Sequence, residues 1–553
     1  MAALSSAQVG AITTAGIKGL TTAQVANLTT GQVAALSTTA LGGLGSDSII
    51  ALTTAQAAAL GSDQIASLSA AVLAEMETAD LAALTSTAIT GLTSDAVAAL
   101  TSGQVRALTT GQLVVLTAWP VARLDVPGLT AAEAAANCGP LAALALYDDP
   151  ALQAATGPDW INRKAPAVGG PLAPAEGYCH DRIRIGYLST DFCRHAMSFL
   201  IAELLELHDR SRFDVYGYCT SPEDGSDIRA RVLAAMDHHV GVKSLTDEQA
   251  AARIRADEID ILIDLNGLTR GARVGVLRWK PAPVQITYLG YIGPIPLPEL
   301  DYILCDAITI PPGMDAAYQT RPLRIDGCYQ ANDSRPPVLP AVSRTAEGLP
   351  EDAFVYCCVS HHYKITESLW GGWCDIVAAV PGSVLWLIDD NPESRAALTA
   401  RWLERGLAVE RLIFAARVDP DRYRARLALA DLFLDTTPYS AGTIASDALR
   451  LGLPLLTLQG RAFAARMASS LLTAIGLEGC ITTTLPDYIA RAVAIGQDRT
   501  LHHDLKTRLA GDAWARTLGD SAGFTKRFEA VLERVCLKSA APDHQAAAAA
   551  GID

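Results

Sequence analysis

The sequence predicts an α/β protein: two doubly wound domains facing a cleft, preceded by a solenoid of short helical octapeptide repeats. Three observations predict it. The first 117 residues repeat with a period of eight. From Asp181 onward, short β-rich runs alternate with helix-like segments, the signature of parallel α/β units. A Pro-rich break at 335–350 interrupts that alternation, which then restarts, so the α/β blocks come as a tandem pair.

The repeat comes first. One apolar position recurs at Leu4, Ile12, Leu20, Leu28 and onward to Leu108 and Leu116, and a second follows five residues later, as at Val9, Ile17, Val25, Val33 and Ile65. A fixed period of this kind marks an array. At about 3.6 residues per turn, eight residues drift by roughly 80° per unit, so one straight helix would spread its leucines over every side. The helix must therefore break once per unit. Thr21 with Gln24, and Thr29 with Gln32, have the spacing of a capping box. Each unit reads as a short capped helical turn stacked on the next through Leu and Val. A β-solenoid is the alternative, which the abundant Ala disfavours. The array is either a surface for protein partners or a spacer.

Residues 118–180 form a helical segment followed by a Pro/Gly linker. Residues 181–335 carry the first set of strand-like runs, "IRIGYLS", "FDVYGYC", "IDILIDLNG", "VQITYLGY" and "LDYILCD". Residues 336–537 carry the second, "FVYCCVS", "SVLWLID", "RLIFAARV", "LFLDT" and "LPLLTL", and 538–553 read as a flexible tail.

Composition bounds the function. The 553 residues are 50% hydrophobic and 19% charged, with a net charge of −15. That charge argues against nucleic acid as a partner. No uncharged apolar run marks a membrane span, and the start lacks the basic segment and cleavage site of a signal peptide. Eleven scattered cysteines without a CxxC read as reduced thiols of a cytoplasmic protein.

Ligands of doubly wound folds sit at the carboxyl ends of strands. The polar residues that follow predicted strands are Asp191 and His195, then Asn266, Thr269 and Arg273, then Gly293, and then His361, His362 and Lys364. "LFLDT" leads into "PYSAGTIASDALRLGLP", residues 438–454. A helix N-terminus there offers unpaired N–H groups to a phosphate. Gly442 permits close approach, Ser440 and Thr443 add hydroxyls, and Asp447 lies where a carboxylate could hold a ribose diol. Lys364 could neutralise a diphosphate. A plain Ser/Thr-capped helix start is the competing explanation. His195 suits a base or acceptor contact, or a structural loop role. "DHH" at 237–239 lacks a third ligand at a recognisable spacing, so no metal site is expected.

These pieces, in order, resemble the catalytic region of the O-linked N-acetylglucosamine transferase family, its SPINDLY-like branch included. The resemblance covers residues from about Arg182 to about Val535, and "IRIGYLSTDFCRHAMSFL", "ILIDLNGLTRGAR", "KPAPVQITYLGYIG" and "LADLFLDTTPYSAGTIASDALRLGLPLLTL" carry it. It implies a GT-B fold and an inverting, metal-independent transfer of N-acetylglucosamine from UDP-GlcNAc to Ser or Thr of protein acceptors. It also implies roles: His195 at the active site, His239 near the sugar, Lys364 on the diphosphate, Thr443 at the phosphate-binding helix start and Asp447 on the ribose. Pro281 and Gln285 fall in a matching segment with a structural role. Three departures stand out. Gly442 and Ile444 replace the usual His and Thr around Thr443, His361 replaces a common Gln or Asn three residues before Lys364, and octads replace the usual tetratricopeptide repeats. The alternatives are a UDP-glucose or GDP-fucose protein glycosyltransferase, a UDP-sugar epimerase on the same fold, or a degenerate interaction module. The Ser/Thr-rich octads are either an internal acceptor or only helix caps.

Overall fold

The computed structural model describes residues 4–89, 91–93, 96, 99–109, 112 and 139–539, which fall into two units, Met1–Leu146 and Tyr147–Asp553. The expected helix before residue 139, the octad at Leu116 and the tail from 540 lie outside the described residues.

In the first unit, octads form short helices such as Thr22–Ala26, Thr30–Ala34 and Ser62–Ala66. The expected capping boxes are present. Thr21 and Thr29 accept the Gln24 and Gln32 amides, and each Gln side chain takes back the cap's own N–H. Val9, Ile17, Val33 and Ile65 are wholly buried. Stacking differs from the expectation. A helix packs on the third along: Thr14–Lys18 on Thr38–Leu41, and Thr54–Ala57 on Thr78–Ala83. The capped break turns the chain at every unit, so the array coils back on itself. Glutamine pins the coil. Gln56 Nε2 donates to the carbonyls of Val25 (2.9 Å) and Leu28 (2.7 Å), and Gln64 Nε2 to those of Val33 (3.1 Å) and Leu36 (2.8 Å). The Leu28 and Leu36 carbonyls follow the helix ends, while those of Val25 and Val33 also accept the N–H groups of Leu28 and Leu36.

The second unit holds two parallel sheets. β1 (Ile183–Ser189), β2 (Phe213–Cys219), β3 (His238–Gly241), β4 (Ile261–Asp264), β5 (Val284–Thr287), β6 (Tyr302–Cys305) and β7 (Arg321–Arg324) assemble in the order β3-β2-β1-β4-β5-β6-β7. β8 (Val355–Cys358), β9 (Val384–Ile388), β10 (Leu412–Ala415), β11 (Leu432–Leu434), β12 (Leu455–Leu458) and β13 (Ile481–Thr482) assemble as β10-β9-β8-β11-β12-β13. Tyr187 of β1 lies level with Gly217 of β2 and Ile263 of β4. Strand order reverses beside β1 in one sheet and beside β8 in the other, so each sheet has a topological switch point. Four helices matter below: α1 (Ala196–Leu207), α2 (Pro420–Leu427), α3 (Thr443–Arg450) and α4 (Ser521–Ser539). None among the described residues is long and apolar enough to cross a membrane.

Two boundaries differ from expectation. α4, assigned by sequence to the second domain, packs on α1 and β5 of the first. Its Glu529 accepts the Asp209 N–H (2.8 Å) and meets His208 Nδ1 (3.0 Å), and its Phe528 ring lies 5.4 Å from that of Tyr288. The Pro/Gly segment is not a free linker either. Leu172 and Ala173 donate their N–H groups to the carbonyls of Trp279 (2.8 Å) and Lys280 (2.9 Å), and in the helical segment before them the Asp148 carboxylate accepts the Arg461 and Ala462 amides of the second domain. Main-chain hydrogen bonds hold these residues where composition alone suggested freedom.

Candidate functional site

The site forms where β1, β8 and β11 end. After β11, Asp435 organises the turn. It is fully buried, accepts the N–H groups of Thr436 and Ala441 (2.8 Å each) through one oxygen and takes the Thr457 hydroxyl (2.7 Å) with the other. Burial pushes its carboxyl up to about 7, against those hydrogen bonds and the charge of Lys364. Ser440 corrects one expectation. It is fully buried and donates both its N–H (2.9 Å) and its hydroxyl (2.6 Å) to the Ala464 carbonyl. That hydroxyl ties two loops together and is not offered to a ligand.

The turn delivers the chain into α3 without a cap. Gly442 is the N-cap residue, with φ −107° and ψ −85°, and no side chain accepts from the first turn. The N–H groups of Thr443, Ile444 and Ala445 therefore have no acceptor among the described residues. Such a start carries a partial positive charge and free donors. A Cβ at Gly442 would lie 3.3 Å from both Gln330 Oε1 and Met467 Sδ. A larger residue there requires those two flexible side chains to give way by a few tenths of an ångström. One turn on, the Asp447 carboxylate makes no hydrogen bond to another described residue. Burial raises its carboxyl to about 6, opposed by Arg424 and Arg450.

Lys364 lies against the same turn. A backbone bridge joins Ile365 to Thr437, and the Lys364 ammonium sits 3.4 Å from the centroid of the Tyr439 ring. It forms no ion pair or hydrogen bond with another described residue. Burial lowers it to about 8, with Asp435 acting in the opposite sense. A half-desolvated cation with only an aromatic face for company favours an anion.

His195 comes from the other sheet. It caps α1, and its Nδ1 accepts the Met197 N–H at 3.3 Å. Asp191 Oδ2 stands 3.7 Å away, held by Asn266 Nδ2 at 2.7 Å. With Nδ1 engaged as acceptor, the neutral ring carries its proton on Nε2.

A cavity of about 520 Å³ lies between the two sheets and brings together His195, Thr443 and Asp447. Lys364, Ser440, Gly442, His361 and His239 do not line it. His361 is exposed and pairs with Asp390 (2.9 Å), and His239 is exposed on the edge strand β3. His362 is buried, bonded to Ser394 (2.6 Å) and the Ile388 carbonyl (2.8 Å). Thr269 and Arg273 serve local structure, Thr269 bonding the Asn266 carbonyl and Arg273 pairing with Asp247. Sequence reasoning missed several wall residues: Tyr423 and Arg424 of α2, Arg450 of α3, and Trp514, over which the Arg450 guanidinium stacks at 5.4 Å. "PDRYRARL" reads as a solvated basic helix, and only its position just before a site-forming strand hints otherwise.

A model of glycosyl transferase family 41 matches residues 173–323 and 325–528, and a model of the ALTTAQ repeat matches 1–38 and 73–118. The probable UDP-N-acetylglucosamine–peptide N-acetylglucosaminyltransferase SEC of Arabidopsis thaliana is 31% identical over 66% of this chain and 38% of its own length. The probable enzyme SPINDLY of Solanum lycopersicum is 28% identical over 63% and 38%. The chain thus spans about two-fifths of the length of these relatives. A solved structure of a mutant O-GlcNAc transferase from Thermobaculum terrenum superposes with a TM-score of 0.68 at 28% identity, covering 92% of this chain and 95% of that one.

Proposed function

This chain belongs to glycosyl transferase family 41, and on that premise we propose that it transfers N-acetylglucosamine from UDP-GlcNAc to Ser or Thr of protein acceptors, with inversion. One observation carries the reading. The uncapped start of α3 and the unpaired Lys364 flank one turn, with Asp447 one helical turn beyond. That set suits a diphosphate followed by a ribose. Asp447 accepts from the ribose hydroxyls, while Lys364 and the N–H groups near Thr443 meet the charge that develops on the departing diphosphate.

The acceptor hydroxyl attacks the anomeric carbon from the face opposite UDP. The new C–O bond forms as the bond to the β-phosphate oxygen breaks, and the proton of the acceptor hydroxyl is lost to water. His195, with its proton on Nε2, orients the acceptor as a hydrogen-bond donor more readily than it removes a proton. His239 and His361 are assigned no contact in this scheme, since His239 lies exposed on the edge strand β3 and His361 is engaged by Asp390. The curated relatives' names specify a peptide acceptor, which supports protein acceptors here. We place the reaction in the cytoplasm and read the repeat array as a surface for protein partners.

The test is a panel of UDP-GlcNAc, UDP-glucose and GDP-fucose with purified protein and cell lysate, read by mass spectrometry. Addition of N-acetylhexosamine to Ser or Thr is expected. Exclusive use of another donor, or transfer to asparagine, would replace this reading.

A further inference from the structure

Gln330 stands beside the start of α3, and no role assigned above uses it. It belongs to the segment that follows β7, which its neighbours hold in place. Asp306 accepts the Tyr329 N–H (2.8 Å). The Tyr288 hydroxyl donates to the Tyr329 carbonyl and accepts the Ala331 N–H, at 3.0 Å each. Gln330 itself is only 3% exposed. Its Oε1 lies 3.3 Å from the point that a Cβ on Gly442 would occupy.

Hydrogen bonding settles which end of the amide faces α3. Asn332 Nδ2 donates to the main-chain carbonyl of Gln330 (3.2 Å), which leaves Asn332 Oδ1 to accept from Gln330 Nε2 (3.1 Å). The nitrogen of the Gln330 amide is thereby used, and its oxygen is turned toward the helix start. No described residue donates to that oxygen, the open N–H groups of Thr443, Ile444 and Ala445 included. Buried polar groups are hydrogen-bonded as a rule, so an acceptor left open at a binding turn points to a donor on the ligand.

We propose that Gln330 Oε1 accepts a hydrogen bond from the sugar of the donor nucleotide, which makes Gln330 a specificity-determining residue for the transferred group. The proposal rests on the reading that places the diphosphate at the start of α3. Ionised phosphate oxygens only accept, so an amide oxygen offers the diphosphate nothing and must be met by an O–H or N–H. The ribose hydroxyls lie with Asp447, one turn along α3. On the other side of the diphosphate comes the sugar, whose hydroxyls and acetamido N–H are donors. A nucleotide without them leaves the Gln330 oxygen unmatched, and a site built around a hydrogen bond rejects a ligand that cannot make it.

The experiment measures UDP and UDP-GlcNAc binding by calorimetry, with no acceptor present, for wild type, Gln330→Met and Gln330→Glu. Methionine keeps the length of the side chain and removes the amide. It should weaken UDP-GlcNAc by about tenfold, the scale of one hydrogen bond left unmade in a buried site, and leave UDP within about twofold of wild type. Glutamate keeps an oxygen at that place and adds a charge facing the diphosphate, so it should weaken UDP itself by about tenfold. Equal loss of both ligands in Gln330→Met, or loss of neither, overturns the sugar contact, while UDP binding by the wild type leaves the diphosphate reading standing. Wild-type affinity of Gln330→Glu for UDP would show that residue 330 does not face the start of α3, and overturns the contact independently. A wild type that binds neither ligand overturns both.

Discussion

Helices begin differently in the two units. In the repeat array, Thr21, Thr29, Thr53 and their counterparts close the first turn with a hydroxyl, and a glutamine three residues on returns the bond. Elsewhere in the catalytic unit, Ser226, Thr246 and Thr366 cap their helices with a hydroxyl and Asn391 with its amide oxygen, the returned glutamine bond being present at Thr246. At α3, Gly442 supplies nothing. One arrangement satisfies its own donors and so stabilises a helix of one or two turns. The other leaves donors open beside an unpaired lysine. What separates structural from binding polarity here is whether partners are already in place.

The largest expected effect breaks the open arrangement. Lys364→Ala should lower turnover by about 10²–10³-fold, the scale of losing one strong stabiliser of developing negative charge, with the melting temperature retained. Unaltered transfer would mean that the open helix start is not where the diphosphate goes. The same lysine predicts an alkaline limb. A group lowered to about 8 loses its charge as pH rises through that value, so kcat/KM for the donor should decline above it. Lys364→Arg, if active, should abolish that decline.

Next in size is a break in the closed arrangement. Gln64→Leu removes a buried amide that serves both its own helix start and the carbonyls of Val33 and Leu36. Leaving the Leu36 carbonyl and the Gly61 N–H without their partner should cost the array about 1–3 kcal/mol, read by denaturant unfolding, with UDP-GlcNAc binding unchanged. Converting one arrangement into the other comes third. Gly442→Asp would place a carboxylate over the free N–H groups of α3 and compete with phosphate. Roughly tenfold weaker donor binding is expected. Unchanged affinity would show that those N–H groups are not used.

The smallest effect concerns an octad whose closure is incomplete. Asp80 occupies the position held by glutamine in other units, such as Gln64 and Gln104, is buried, and has one oxygen without a partner. Burial raises its carboxyl above the usual 3.8. A raised acid contributes stability fully present below its unfolded value and lost as pH rises through the folded one. Asp80→Gln should add about 0.5–1 kcal/mol at neutral pH and reduce the array's pH dependence. An unchanged or lowered stability would show that the missing donor is not what limits this unit.

Much of this was legible in the sequence. Octad spacing reveals where each helix breaks, and the Thr–Gln pair reveals how it is capped, because both are local. Strand alternation, with His195, Lys364 and Thr443 following strands, locates the site, since such folds bind ligands there. The return of the coil onto its third neighbour was hidden, because a period of eight says nothing about the angle between units. Ser440 misled because a hydroxyl beside a helix start looks the same whether it faces a ligand or the Ala464 carbonyl. Arg424 and Tyr423 were hidden in a helix whose composition suits water as well as a cavity wall.

Glu529 and Phe528 have a consequence for biosynthesis. They complete the packing around His208 and Tyr288 across a sequence separation of 321 residues in the case of His208. As the chain leaves the ribosome, octads can close within about one coil of their own length. The first catalytic domain cannot do so. It must wait, with part of its apolar surface uncovered, until the second has been translated and α4 arrives. Chaperone dependence should therefore concentrate on that interval rather than on the repeats.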